Sequence, residues 1–119
     1  MLTVPEIGNQ DEQSSGQATF EMANLRPEQT GLPFVVFISQ KDGARHDIRV
    51  KVSRGPKVLP HQMGTYARRP FRFEGGYQLS SAEEKQLEAW ISQNQKVLEE
   101  YWDGDILYTS DAIERLVRI

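Results

Sequence analysis

Residues 45–52, Arg-His-Asp-Ile-Arg-Val-Lys-Val, alternate charge and apolarity and predict a strand. Ile48, Val50 and Val52 fall on one face; Arg45, Asp47, Arg49 and Lys51 fall on the other. Residues 34–39, FVVFIS, are β-branched or aromatic at nearly every position, as in a strand covered on both sides. Between the two lies Asp42-Gly43, a strong signal for a two-residue type I′ hairpin, because both central positions need positive φ. Pairing outward from that turn sets Ser39 opposite His46, Phe37 opposite Ile48 and Val35 opposite Val50. The expected core face is then Val35, Phe37, Ile48, Val50 and Val52. Phe34, Val36 and Ile38 join the charged face, which is half apolar and calls for partial cover by a helix or a tail. A slip of one residue would carry the charges into the core, so the pattern resists slippage.

The flanking segments complete a small sheet. Residues 1–18, including GNQDEQSSGQ, offer little apolar surface and read as a disordered leader, leaving residues 19–119 as a single domain. ATFEMANL predicts a short edge strand anchored by Phe20, Met22 and Leu25, and RPEQTGLP is a connector punctuated by two prolines. RGPKVLPHQMG is irregular. TYARRPFRF forms a third strand that Pro70 confines to an edge or splits, and Gly75-Gly76 closes this half.

From Ser80 the period changes to that of a helix. Ser80 and Glu83 make a capping box, each side chain satisfying the other residue's free amide. Leu87, Trp90, Ile91, Val97, Leu98 and Tyr101 then form an apolar stripe along one long helix of about six turns that Gly104 ends. Asn94 falls within the stripe and is expected to hydrogen-bond to backbone from inside it. Trp102 lies at the stripe's edge, where it can serve as an exposed anchor. Ser110 is the expected N-cap of a short last helix with Ile113, Leu116 and Val117 inward. The predicted class is α+β: a small antiparallel sheet, a hairpin plus an edge strand, packed by one long helix and one short one.

Composition narrows the chemistry. The 119-residue, 13.6 kDa chain is one domain's worth, and it has no cysteine, which excludes disulfides, thiolate zinc sites and thiol nucleophiles. No apolar run reaches the ~20 residues that span a bilayer, and no basic n-region or apolar h-region opens the chain, so a cytoplasmic location and no membrane partner are expected. The net charge of −3 conceals segregation. Residues 1–40 carry one Arg against five acids, residues 41–72 carry nine basic residues against Asp42 and Asp47, and residues 73–119 carry four basic residues against ten acids. A basic middle between acidic ends either meets an acidic partner or compensates itself inside the fold.

Candidate chemistry is sparse. His46 and Asp47 are neighbours on a strand and point to opposite faces, which separates them as a base and its orienting carboxylate. His46 and His61 lack a third ligand at a metal-binding spacing. The Asp103-Gly104-Asp105 step resembles a fragment of a calcium loop but lacks the closing Glu. Glu99, Glu100, Asp103 and Asp105 cluster at the long helix's C-terminus, where the macrodipole disfavours them, and invite basic partners from the hairpin. No cofactor motif, metal site or catalytic set is recognised.

At NLRPEQTGLPFVVFIS, GARHDIRVKVS and LEAWISQNQKVLEEYWDGDI the chain resembles a group of small uncharacterised bacterial proteins. They share a hairpin, a variable middle and a helix ending in a Tyr/Trp–acid–Gly step. The resemblance covers residues 24–118 and implies a compact α+β fold without an established activity. More faintly, the chain is similar to small bacterial domains encoded beside toxin–antitoxin-like partners, whose strand–strand–helix order ends in W-I-…-N. Those domains carry a histidine-rich strand, where this chain has only His46.

The reading that follows is a non-enzymatic protein-binding or regulatory module. Its contact surface is Arg45, Asp47, Arg49 and Lys51 on the hairpin, with Arg68, Arg69 and Trp102, and its partner is another protein. The second reading is a nucleic-acid binder using Arg49, Lys51, Arg54, Arg68, Arg69 and Arg72 on the basic hairpin and after it. The third is a small toxin-like hydrolase or nuclease with His46 or His61 as acid–base.

Overall fold

The computed structural model describes residues 22–41, 45–54, 58 and 60–119; the leader, Phe20 and the Asp42-Gly43 turn lie outside them. Five strands form one antiparallel sheet in which each pairs with the next in sequence: β1 (Met22–Leu25), β2 (Val35–Ser39), β3 (Arg49–Ser53), β4 (Met63–Arg68) and β5 (Phe71–Gly76). A one-turn helix, α1 (Pro27–Thr30), sits in the connector after β1, and α2 (Ser81–Gln93), α3 (Gln95–Asp103) and α4 (Thr109–Arg115) follow the sheet. The class is α+β, as the periodicity implies, with the expected third strand TYARRPFRF divided into β4 and β5. Among the described residues no helix is long and apolar enough to cross a membrane.

The alternation of β3 decides which side of the sheet faces the helices. Ile48, Val50 and Val52 are buried in one cluster with Leu87, Trp90, Leu98 and Tyr101, and Arg49 and Lys51 take the opposite face, as their spacing predicts. The pairing with β2 differs from the hairpin expectation. Val35 lies opposite Ser53, Val36 opposite Val52 and Phe37 opposite Lys51. That offset changes the parity, so Phe34, Val36 and Ile38 enter the helix-side core. Val35 and Phe37, expected there, lie on the far face beside the charged side chains. The physical reason is that β2 is apolar on both faces and so does not choose its own parity. Its neighbours choose: on β1, Ala23 faces Ile38 and Leu25 faces Val36, and all four are buried. The connection is also longer than two residues, running from 40 to 48. The Lys41 N–H donates to the Trp102 carbonyl at 2.9 Å, which draws the exit of β2 towards α3.

Pro70 does split its strand. The Arg69–Pro70 bond is cis, and the chain reverses there to pair β5 back along β4. Pairing shifts between Thr65 and Tyr66, so that Thr65 faces Gly75 but Tyr66 faces Phe73, leaving Glu74 as the extra residue of a bulge. Gly64 is required where β4 meets the end of β5, since a Cβ there would stand 2.1 Å from the Tyr77 carbonyl oxygen. Tyr66 then fastens the sheet to α2. Its hydroxyl donates to Glu84 Oε2 at 2.7 Å and accepts from the buried Leu79 N–H at 2.9 Å. The Ser80–Glu83 capping box forms as predicted.

The expected single long helix is bent at Asn94 into α2 and α3. Asn94 is 2% exposed, and its amide nitrogen donates to both the Trp90 and Val117 carbonyls at 3.0 Å. Its Oδ1 accepts from the Val117 N–H at 2.7 Å, so one side chain ties the helix bend to the C-terminal tail. Beyond it, the Ile119 N–H donates to the Thr30 carbonyl at 2.9 Å. The last helix starts two residues earlier than predicted, at Thr109 with Tyr108 rather than Ser110 as N-cap. Ala112 is its buried residue, Ile113 and Leu116 are partly covered, and Val117, expected inward, is exposed past the helix end.

Candidate functional site

Arg68 organises one end of the molecule. It is the last residue of β4 and points to the helix side, as Tyr66 does two residues earlier. Its side chain is 5% exposed between the sheet and α3. One guanidinium nitrogen reaches both Asp47 oxygens at 2.9 and 3.1 Å, and the other pairs with Glu99 on α3. The Nε is buried without a partner, held inside the cluster. Burial opposes the charge on Arg68, but the Glu99 and Asp47 carboxylates outweigh it and raise its pKa. Burial likewise pushes Asp47 up, but the Ile48 N–H and the Arg68 and Arg69 guanidiniums outweigh it and hold its carboxyl below the ordinary value.

Above this cluster opens a groove of about 610 Å³. Lys41, Arg45 and Arg69 line it from three segments: the exit of β2, the lead into β3 and the β4–β5 turn. Glu99 and Asp103, one turn apart, line it from α3. Among the described residues Lys41 and Arg45 have no carboxylate partner. Arg69 stands at 3.9 Å from Asp47 and 3.8 Å from Glu99, with its side chain 68% exposed. Among the described residues the lining holds four cations against three carboxylates. At the groove's aromatic side the exposed His46 ring lies over Trp102, with centroids 5.6 Å apart and planes tilted by 38°. His46 Nδ1 sits 2.6 Å from the Asp47 carbonyl oxygen, which also accepts from Arg49 Nη1 at 2.8 Å. The Asp47 carboxylate goes to Arg68, so His46 and Asp47 form no side-chain dyad.

Of the residues singled out in the sequence, Arg45, Asp47, Arg68, Arg69 and Trp102 meet at this groove. Trp102 is 7% exposed, beneath His46 rather than standing free as an anchor. Arg49 and Lys51 do not join it. They occupy the sheet's far face, where Arg49 pairs with Glu74 and Lys51 is exposed. Arg72 also bonds Glu74, at 3.1 and 3.2 Å, and Arg54 donates to Tyr77 Oη at 3.2 Å while lying over its ring. His61 is exposed in the short 3₁₀ turn Pro60–Gln62, and no cluster of potential metal ligands occurs among the described residues.

Four residues escaped the sequence reading. Lys41 stands outside the alternating run, in the connection to β3, and its N–H reaches the end of α3. Glu74 becomes a partner of two arginines because alternation along β5 sets it with Arg72 on the face opposite Phe71 and Phe73, where Arg49 also lies. Leu107 and Tyr108, each 68% exposed, follow α3 in a segment tied to the exit of β2 by Gln40, whose Nε2 donates to the Leu107 carbonyl at 3.3 Å. Comparison with protein-family models, curated proteins and solved structures finds no match to this chain.

Proposed function

We propose that this protein is a non-enzymatic binding module that takes an acidic segment of a partner protein into the groove between the β3 lead-in and α3. One observation carries the reading. Arg49, Arg68 and Arg72 of the basic middle block are paired with carboxylates, whereas Lys41 and Arg45, without a carboxylate among the described residues, converge with the loosely held Arg69 on one cavity. The exposed Leu107 and Tyr108, in the segment that Gln40 ties to the exit of β2, offer apolar contact, and apolar anchors rimmed by charge are what protein recognition uses. A volume near 600 Å³ suits a few side chains rather than a duplex. The nucleic-acid reading draws less support, since Arg49 and Arg72 on the sheet face both serve Glu74 and leave no continuous basic stripe.

A displayed library of random twelve-residue peptides tests this reading. The wild-type protein should enrich peptides with an acidic residue next to an apolar one. Lys41→Glu with Arg45→Glu should abolish that enrichment, and Leu107→Ser with Tyr108→Ser should weaken it at least tenfold. Absence of enrichment, or enriched peptides indifferent to both pairs of substitutions, refutes the proposal.

A further inference from the structure

We propose that the anion read by this groove is a phosphorylated side chain of the partner rather than an Asp or Glu. The inference rests on the protein-binding reading above and specifies its ligand.

Carboxylates are already present where an incoming one would go. Both terminal guanidinium nitrogens of Arg68 are engaged by Asp47 and Glu99, and the same two acids stand at 3.9 and 3.8 Å from Arg69, beyond direct hydrogen-bond distance. An Asp or Glu from a partner would give Arg69 a single charge of the kind it already has nearby. A phosphomonoester brings about −1.5 to −2 charges and three acceptor oxygens, so its attraction to the same cations is about twice as large. The donors also suit a tetrahedral group. Lys41, Arg45 and Arg69 approach from three separate segments, and together they offer thirteen N–H donors by the ordinary inventory of about five per guanidinium and three per ammonium. A planar carboxylate uses donors in one plane, whereas a phosphoryl group accepts from several directions. The exposed His46 ring beside them adds a flat surface backed by Trp102. The Arg68 cluster fixes the floor, so the rim cations are free to close on a ligand without rebuilding the fold.

Three fluorescein-labelled peptide libraries with the same degenerate flanks, including apolar residues, and phosphoserine, Glu or Ser at the centre provide the test by anisotropy. The phosphoserine set should bind at least tenfold tighter than the Glu set, the Glu set tighter than the Ser set, and millimolar inorganic phosphate should compete. Arg69→Gln with Arg45→Gln should reduce phosphoserine binding at least tenfold, with unchanged circular dichroism, since both side chains are exposed. Equal binding of the Glu and phosphoserine sets overturns this inference and leaves the acidic-segment reading standing. Failure of all three sets overturns both. Equal affinity for inorganic phosphate alone, or for a dT12 oligonucleotide, overturns the phosphopeptide assignment in favour of a small phosphorylated molecule or a nucleic-acid backbone.

Discussion

Replacing Asn94 with Ala should loosen the C-terminal tail and the helix bend together. Asn94 makes three side-chain hydrogen bonds, to the Trp90 carbonyl and to both backbone groups of Val117. The Trp90 carbonyl keeps a partner in the Asn94 backbone N–H at 3.0 Å, so the losses that count are the two bonds to Val117. At about 0.5–1.5 kcal/mol net for each, they amount to about 1–3 kcal/mol. Alanine's better helix propensity returns about 0.5 kcal/mol, leaving a net loss of about 0.5–2.5 kcal/mol. A domain of 60–100 residues shifts in Tm by about 4–8 °C per kcal/mol, so a fall near 10 °C is expected. Thermal and urea unfolding followed by circular dichroism measure this. A chain lacking residues 117–119 supplies the second arm of a double-mutant cycle. If the tail acts through Asn94, the combined variant should be hardly less stable than the weaker single one, with a coupling energy of about 1–2 kcal/mol. Strictly additive losses, or an Asn94→Ala variant within 0.5 kcal/mol of wild type, would refute the clamp (both thresholds by ordinary scatter of about 0.3–0.5 kcal/mol).

Tyr66→Phe should cost about 1–3 kcal/mol in urea unfolding, because the buried Leu79 N–H loses its acceptor, while Tyr77→Phe on the exposed Arg54 contact should stay within about 0.5 kcal/mol; equal losses would contradict the fastening role of Tyr66. The pH dependence has a definite sign. Asp47 has a folded pKa below its ordinary 3.8, so its stabilising share is complete above that value and is lost as the pH falls through the folded one. Glu74, pushed up by burial but lowered further by its hydrogen bonds and charge attraction to Arg72 and Arg49 together, acts with the same sign. The urea midpoint should therefore drop on acidification below about pH 4, and Asp47→Asn should flatten part of that slope; an unchanged slope would show that the Arg68 pairing contributes nothing in solution.

Much of the fold was legible because β3 and α2 each carry an unambiguous period. Ile48, Val50 and Val52 went to the core and Arg49 and Lys51 away from it, as alternation alone requires. The register of β2 was not legible, because Val35 and Val36 are chemically equivalent and the choice between them was made by Ala23 and Leu25 on the next strand. Asn94 illustrates the same limit. Its place on the stripe announced a buried amide, but its partner Val117 lies twenty-three residues on and is set by tertiary packing. Of the site, the residue types were visible and their pairing was not: the acid that meets Arg49 lies on a bulge, and the lysine that joins Arg45 lies in a connection whose length was misjudged.

The charge segregation that made the middle block look like a binding ribbon is for the most part a device of folding. Glu74 absorbs Arg49 and Arg72 on the far side of the sheet, and Asp47 and Glu99 absorb Arg68 on the near side. This arrangement explains why acids crowd the C-terminal end of α3 despite an unfavourable macrodipole: Glu99 meets a guanidinium that is nearly removed from water, where an unpaired charge would be far more costly than the helix-end penalty of about 0.3–1 kcal/mol. It also sets what is left over. Among the described residues that line the groove, the cations without a carboxylate partner are Lys41 and Arg45, with Arg69 held loosely. Self-compensation and recognition are thus consecutive: the first fixes the floor with Arg68, and the second uses the charge that the floor does not neutralise.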